Sequence, residues 1–292
     1  MQTGTPSKTA MATALMRALH TRADAKPLFD DVWGERLLAP ARERMEALAK
    51  AAGLAGVDAL LRRGPAYAIV IARARFAEDA LAKARARGVG QYVIVGTGFD
   101  SFALRHGPDS EDLVIFEVDH PATQDYKRKR LAACGVRPPA NLRFVAADLS
   151  AERLGDVLMR AAFKPEAPAF FAWLGVTMYL TREANLATFR EVARVAVKGS
   201  ELVFTYSDSR VLHADEPAPS SGLRGMREMV GWLGEPYLSG FDPARMADDL
   251  AACGLALVED FGADALIARY DPEGANGLKA EPFSRVARAL VA

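Results

Sequence analysis

Gln91-Tyr92-Val93-Ile94-Val95-Gly96-Thr97-Gly98-Phe99-Asp100 is the stretch that decides the fold. A Val- and Ile-rich apolar run stops at a Gly-x-Gly turn. Runs of this kind are the buried strands of a parallel sheet. Glycines at such a strand's exit let the backbone pass close to a ligand that a Cβ would strike. A second run, Val114-Ile115-Phe116-Glu117-Val118-Asp119, comes next and ends in an acid. An acid at a second strand's exit, roughly 20 residues past the glycines, can accept hydrogen bonds from ribose hydroxyls. Together the two runs point to a nucleoside-bearing cofactor at the carboxyl edge of a sheet.

The rhythm continues outward from these runs. Short apolar segments recur at 142–146, 169–174, 202–206, 256–261 and 265–268, and helical spacing marks 124–133, 151–162 and 182–197. Strands alternating with helices predict an α/β fold with a doubly wound, mostly parallel sheet of seven strands. Only Gly262-Ala263-Asp264 separates the last two segments. So short a gap forces a hairpin, so one edge is expected to be antiparallel. Upstream, helical patterning covers 9–22, 33–52 and 67–87, and Gly88 and Gly90 stop the last of these. Residues 1–88 are expected to form a helical cap packed on a core of residues 89–292. Within the core, about 208–243 breaks the rhythm with Pro217, Pro219, Pro236, Pro243 and several glycines. Met226, Met229, Trp232, Tyr237, Leu238 and Phe241 add apolar surface there. Such a stretch must pack on something: it suits a lid or substrate pocket as well as a plain insertion over the sheet edge.

The bulk numbers exclude several classes. The chain has 292 residues, 50% of them hydrophobic, enough for a sizeable core. Its 37 basic residues balance 37 acidic ones, which argues against a nucleic-acid binder held by a broad positive field. Lys127-Arg128-Lys129-Arg130 is expected to be a solvated helix face, since no aromatic residues interleave with it. Cys134 and Cys253 lie far apart and the 4 histidines do not cluster. No metal site is expected, and a reduced, cytoplasmic protein is. The N-terminus lacks an apolar signal core, and no run reaches the ~18 apolar residues of a membrane span.

Four motifs in order carry a resemblance: Gly96-Thr97-Gly98-Phe99-Asp100, Phe116-Glu117-Val118-Asp119-His120-Pro121, Ala147-Asp148-Leu149 and Gly175-Val176-Thr177-Met178-Tyr179-Leu180. With them go Ser7-Lys8-Thr9-Ala10, Pro27-Leu28-Phe29-Asp30-Asp31 and Ala72-Arg73-Ala74-Arg75-Phe76. The set resembles the S-adenosylmethionine-dependent methyltransferases related to leucine carboxyl methyltransferase, which include bacterial O-methyltransferases linked to polyketide pathways. The resemblance implies the Rossmann-like class I methyltransferase fold, S-adenosyl-L-methionine as cofactor, and O-methylation in secondary metabolism.

It also implies roles. Gly96, Thr97 and Gly98 open the floor under the adenosine and methionine parts of the cofactor. Asp119, with His120 beside it, holds the ribose hydroxyls, each carboxylate oxygen accepting one hydrogen bond. Helix capping is the alternative, since His120-Pro121 opens a helix. Asp148 accepts from the adenine amino group while Leu149 packs on the ring, and Ser150 is a good N-cap for a helix beginning there. Arg73 pairs with the methionine carboxylate. Related proteins often carry an acid just before Gly175. This chain has Leu174 there, so backbone carbonyls would replace that acid's contact with the cofactor's amino group. Glu117 is expected to turn to the opposite face of its strand, and to be structural or to support a residue that touches the cofactor.

The acceptor is less constrained. A carboxylate acceptor needs no general base, whereas a hydroxyl does. His106 and His213 are available, but neither lies in a catalytic pattern, so no catalytic residue is assigned. Tyr179 faces either the pocket or the core. The aromatic-rich insertion suggests a small or medium hydrophobic small-molecule acceptor. Nothing in the sequence specifies the oligomeric state. Two other readings stay open: a non-catalytic member of the fold, and an NAD(P)-dependent oxidoreductase. Against the latter, Ser101 stands where the third fingerprint glycine belongs.

Overall fold

The computed structural model describes residues 7–51, 53–149, 151–212 and 236–292. Its centre is a seven-stranded sheet of order β3-β2-β1-β4-β5-β7-β6. The strands are β1 Gln91–Val95, β2 Val114–Asp119, β3 Leu142–Ala146, β4 Ala169–Trp173, β5 Glu201–Ser207, β6 Leu255–Gly262 and β7 Ser284–Val291. The first five are parallel, and β7 runs antiparallel to both β5 and β6. The chain steps outward from β1 to β3, then returns to lay β4 on the other side of β1. Strand order therefore reverses between β1 and β4, and in open α/β sheets ligands bind in the crevice at such a point. This is the doubly wound, mostly parallel sheet with an antiparallel edge that the sequence leads one to expect.

Alternation along the strands builds one core on each face of the sheet. Val93, Val95, Phe116, Phe171, Trp173 and Phe204 point to one side, under helices α7 (Leu154–Arg160), α8 (Arg182–Val195) and α9 (Met246–Ala251). Tyr92, Ile94, Ile115, Phe170, Ala172 and Val203 point to the other. There they meet α4 (Tyr67–Arg85), α5 (Phe102–Arg105) and α10 (Ala263–Tyr270). A third cluster joins α1 (Lys8–Ala23), α2 (Trp33–Ala51), α3 (Val57–Arg63) and α6 (Pro121–Ala133). Helix α4 serves two of these cores. Its Ile69, Ala72 and Phe76 lie on the sheet, while Tyr67, Val70 and Ile71 lie under α1 to α3. A helix apolar on nearly all sides is buried on nearly all sides.

Several expectations need correction. Residues 265–268 are not a strand but part of α10, where Ala263, Leu266 and Ile267 repeat at helical spacing onto the sheet. The antiparallel edge is real, but the partner of β6 is β7, not a hairpin strand. The sequence hides β7 because Arg285 and Arg288 break its apolar pattern. Their guanidinium groups find Asp260 at 3.1 Å and Glu259 at 2.6 Å on β6, and Glu201 at 2.9 Å on β5. Helix α3 has no counterpart in the sequence reading.

Of the 208–243 stretch, residues 213–235 fall outside the described residues, and so do His213, the body of the expected lid and Ser150. The described flanks are firmly held. Phe241 is buried and its N–H donates to the Ser207 carbonyl at 2.9 Å, while the Leu238 N–H donates to the Met178 carbonyl at 2.7 Å. Among the described residues, no helix is long and apolar enough to cross a membrane.

Candidate active site

The glycine loop leaves β1 with Gly96 at φ +68° and Gly98 at φ +56°, the left-handed region that glycine favours. A Cβ on Gly96 would strike the Val176 side chain beyond β4, and one on Gly98 would come within 2.8 Å of the Ala10 Cβ on α1. The loop is thus clamped from two sides. Thr97 is committed inside it: its hydroxyl donates to the Ile94 carbonyl at 2.9 Å and its N–H to the Val118 carbonyl at 3.2 Å. Two cations hold the next residues. Arg17 of α1 donates to the Phe99 carbonyl at 2.8 Å while pairing with Asp31 at 2.9 Å. Lys127 of α6 donates to the Asp100 carbonyl at 2.7 Å.

Asp119 ends β2 beside this loop. One carboxylate oxygen accepts the Gly98 N–H and the other accepts the His120 N–H at 2.6 Å. Burial pushes its carboxyl up, and the two N–H donors pull the other way. Each oxygen keeps a second lone pair for a ligand donor. The helix cap is His120, not Asp119: the His120 Nδ1 accepts the Ala122 N–H at 3.3 Å and Pro121 follows at the first turn.

Glu117 is structural, but it does not face away from Asp119. Residues two apart in a strand share a face, and Glu117 feels the Asp119 charge. It pairs at 2.6 Å with Lys127, both side chains only 2% exposed. So the basic run is not wholly solvated, because its first member turns inward to a buried acid. Burial pushes Glu117 up to about 7 against the pull of Lys127, and its Oε1 makes no hydrogen bond.

Beyond β3, the Asp148 carbonyl accepts the N–H groups of Ala151 at 2.9 Å and Glu152 at 2.8 Å, which turns the chain. Asp148 and Leu149 are half-buried, and Leu149 packs on the core that holds Val118 and Val145. They lie on the far side of Asp119 from the glycine loop.

Beyond β4, Gly175 takes φ +73° and donates its N–H to the Thr205 Oγ1 at 2.6 Å. A Cβ there would lie 2.5 Å from a guanidinium nitrogen of Arg73, which reaches in from α4. Burial pulls Arg73 down to about 10, so it remains a cation at neutral pH. The phenols of Tyr179 and Tyr237 lie within its field, and their rings meet edge to face at 5.6 Å. Among the described residues, no carboxylate pairs with Arg73. Neighbouring Arg75 turns elsewhere, to the Leu28 carbonyl at 2.8 Å and Asp79 at 2.9 Å. Leu174 is half-buried against the core that includes Ile94, Phe170 and Ala172.

The structure therefore brings Gly96, Gly98, Asp119, Leu174 and Arg73 to the crevice between β1 and β4, with Asp148 and Leu149 at its β3 end. Thr97 and His120 are there too, with the Thr97 hydroxyl and the His120 Nδ1 used by the fold. His106 sits instead in an ion cluster behind the loop, 3.5 Å from Glu78 and stacked on Phe102. Positive-φ glycines with no room for a Cβ, an acid at the second strand's exit and a cation without an anion suit a nucleoside carrying a charged amino-acid tail.

Residues 10–193 match the family model described as leucine carboxyl methyltransferase. The chain belongs to the leucine carboxyl methyltransferase family. A Bacillus subtilis relative, 34% identical over 194 residues, carries the name of an S-adenosyl-L-methionine-dependent methyltransferase. That alignment covers 66% of this chain and 63% of the relative. A Parafrankia protein of like name is 32% identical over 244 residues, covering 82% of this chain and 75% of its own length. Both relatives are named for S-adenosyl-L-methionine as their cofactor. Among solved structures, a DUF574 family protein from Streptomyces avermitilis superposes with a TM-score of 0.59 at 15% identity, covering 98% of each chain. A Thermobifida fusca structure titled as a methyltransferase gives 0.57 at 15% identity, over 99% of this chain and 96% of that one. Both likenesses are of fold.

Sequence reasoning left out Arg17, and it took Lys127 for part of a solvated face and Tyr237 for apolar surface of the insertion. No local signal marks them, because each acts on a residue distant in sequence.

Proposed function

We propose that this methyltransferase-family chain transfers the methyl group of S-adenosyl-L-methionine to an oxygen, carboxylate or hydroxyl, of a small or medium hydrophobic acceptor. The observation that carries the reading is the cation at the switch point. Arg73 packs on Gly175 beside the glycine loop, with no carboxylate partner among the described residues. In this reading Arg73 pairs with the methionine carboxylate, and Gly96, Thr97 and Gly98 shape the floor. Asp119, beside His120, accepts from the ribose hydroxyls. Asp148 accepts from the adenine amino group, Leu149 packs on the ring, and Leu174 offers its backbone. When bound, the cofactor supplies a methyl group activated by a positively charged sulfur. The chain supplies position, alignment and exclusion of water. Tyr179 and Tyr237 give the acceptor side aromatic walls.

Other features support the setting. The described cysteines, Cys134 and Cys253, are unpaired thiols, which suits a reducing, cytoplasmic compartment. Balanced charge favours a small-molecule acceptor over nucleic acid. A place in secondary metabolism rests on the sequence resemblance.

The test is calorimetric titration with S-adenosyl-L-methionine and, separately, NADPH, alongside Asp119→Ala. We expect the methyl donor alone to bind, with affinity falling about tenfold to hundredfold in the variant as charge-assisted hydrogen bonds are lost. Binding of NADPH alone, or of neither ligand to unloaded protein, would overturn the reading.

A further inference from the structure

Strand β7 begins beside the exit of β5. Ser207 pairs with Ser284, and the Asp208 N–H donates to the Phe283 carbonyl at 2.8 Å. The residues just before β7 therefore lie at the carboxyl edge of the sheet. Tyr237 arrives at the same edge through Leu238, which is bonded to Met178 beyond β4. Ala280 and Leu174 both pack, partly buried, against the core on the α4 face of the sheet.

Glu281, the next residue, is 7% exposed, and its Oε1 is buried with no hydrogen bond. A carboxyl so placed needs a donor, and among the described residues no cation pairs with it. Burial alone pushes it up, which makes it a better base near neutral pH. Tyr237 feels the charge of both Arg73 and Glu281, which places the three in one neighbourhood. Among the described residues, the titratable groups around this edge include Arg73 from α4, Tyr179 beyond β4, Tyr237 before β6, and the paired Asp208 and Arg210 beyond β5.

A donor hydroxyl satisfies the open oxygen of Glu281. A carboxylate would bring a second anion to the same place, which is unfavourable. We propose that Glu281 accepts the hydrogen bond, and then the proton, of an acceptor hydroxyl. This rests on the methyl-transfer reading and decides between its two acceptor groups. The hydroxyl proton passes to the Glu281 Oε1. The oxygen lone pair forms the new O–C bond, and the C–S bond breaks with its electron pair going to sulfur.

The test uses 2-naphthol and 2-naphthoate, which share a ring system and differ in the acceptor group. Each is titrated by fluorescence into the full chain loaded with S-adenosylhomocysteine, then assayed for transfer from tritium-labelled S-adenosyl-L-methionine. Naphthol is expected to bind at least about tenfold more tightly than naphthoate. Glu281→Gln should admit naphthoate while leaving the cofactor Kd and the melting temperature unchanged. Its kcat on naphthol should fall about hundredfold or more, and the rise of kcat with pH should vanish. Glu281→Asp, which keeps the carboxylate, should restore part of that rise.

Equal binding of the two probes, no binding of naphthol, or a wild-type kcat and pH profile in Glu281→Gln would overturn the assignment with cofactor binding intact. Absence of cofactor binding is instead a failure of the methyl-transfer reading, and this one falls with it.

Discussion

The two halves of the sheet's carboxyl edge treat their polar groups differently. On the β1–β2 side the groups around the glycine loop are matched, and the one open atom, the Glu117 Oε1, belongs to a carboxylate already paired with Lys127. Asp119 holds the Gly98 and His120 N–H groups, Thr97 holds Ile94, Arg17 holds Phe99, and Lys127 holds both Asp100 and Glu117. On the β4–β7 side, Arg73 has no described carboxylate and the Glu281 Oε1 has no donor. The first half is preorganised shape. The second holds a cation and an acid whose partners must come from outside. A charge paired within the fold marks scaffold, and a charge with no described counter-ion at the switch point marks where a ligand's chemistry is read.

The sharpest way to break this comparison is to attack the scaffold. Lys127→Met leaves Glu117 buried without its cation and should cost about 3–5 kcal/mol of stability. Urea unfolding midpoints measure this, and a variant as stable as wild type would remove the pair from the scaffold.

Acid probes the same half more gently. Burial opposes the ionisation of Glu78, yet His106 and Arg105 hold it down at about 2, against an ordinary 4.5. A depressed carboxyl contributes stability above its unfolded value and loses it as pH falls through its folded value. Stability should therefore drop between pH 4.5 and about 2, by on the order of 3 kcal/mol. In Glu78→Gln this contribution is absent, so the drop should shrink. An unchanged pH profile would detach the cluster behind the loop from the scaffold.

The smallest effect on stability should come from the other half. Arg73→Met should lower affinity for S-adenosyl-L-methionine about tenfold to hundredfold. Stability should change by less than about 0.5 kcal/mol, or rise, since a buried cation without an anion is removed. Loss of stability with no loss of affinity would move Arg73 into the scaffold.

Legibility in the sequence divides along the same line. Strands β1 to β5 and the glycine loop are written in local signals, as apolar runs broken by glycine. So is the acid of Asp119, which ends its own strand. The basic run reads as solvated because composition cannot show which of four consecutive side chains turns inward. The answer lies on β2, where Glu117 waits. Arg73 and Arg75 look alike in sequence, yet one turns to Gly175 and the other to Leu28. The antiparallel edge is foreseeable and its strand is not, since Arg285 and Arg288 look exposed until Asp260, Glu259 and Glu201 are set beside them. Glu281 cannot be placed without β7.

Strand β7 lies between β5 and β6 although it comes after both in the chain. Translation therefore delivers β6 before it has a neighbour and leaves β5 an open edge. Until β7 emerges, the nascent protein shows two unpaired strand edges, each a template for wrong pairing. Arg288 then bridges Glu201 on β5 and Glu259 on β6, so a single late-made side chain latches both. The interval between the release of β6 and the docking of β7 is when this protein is at its most adhesive and a chaperone has most to shield.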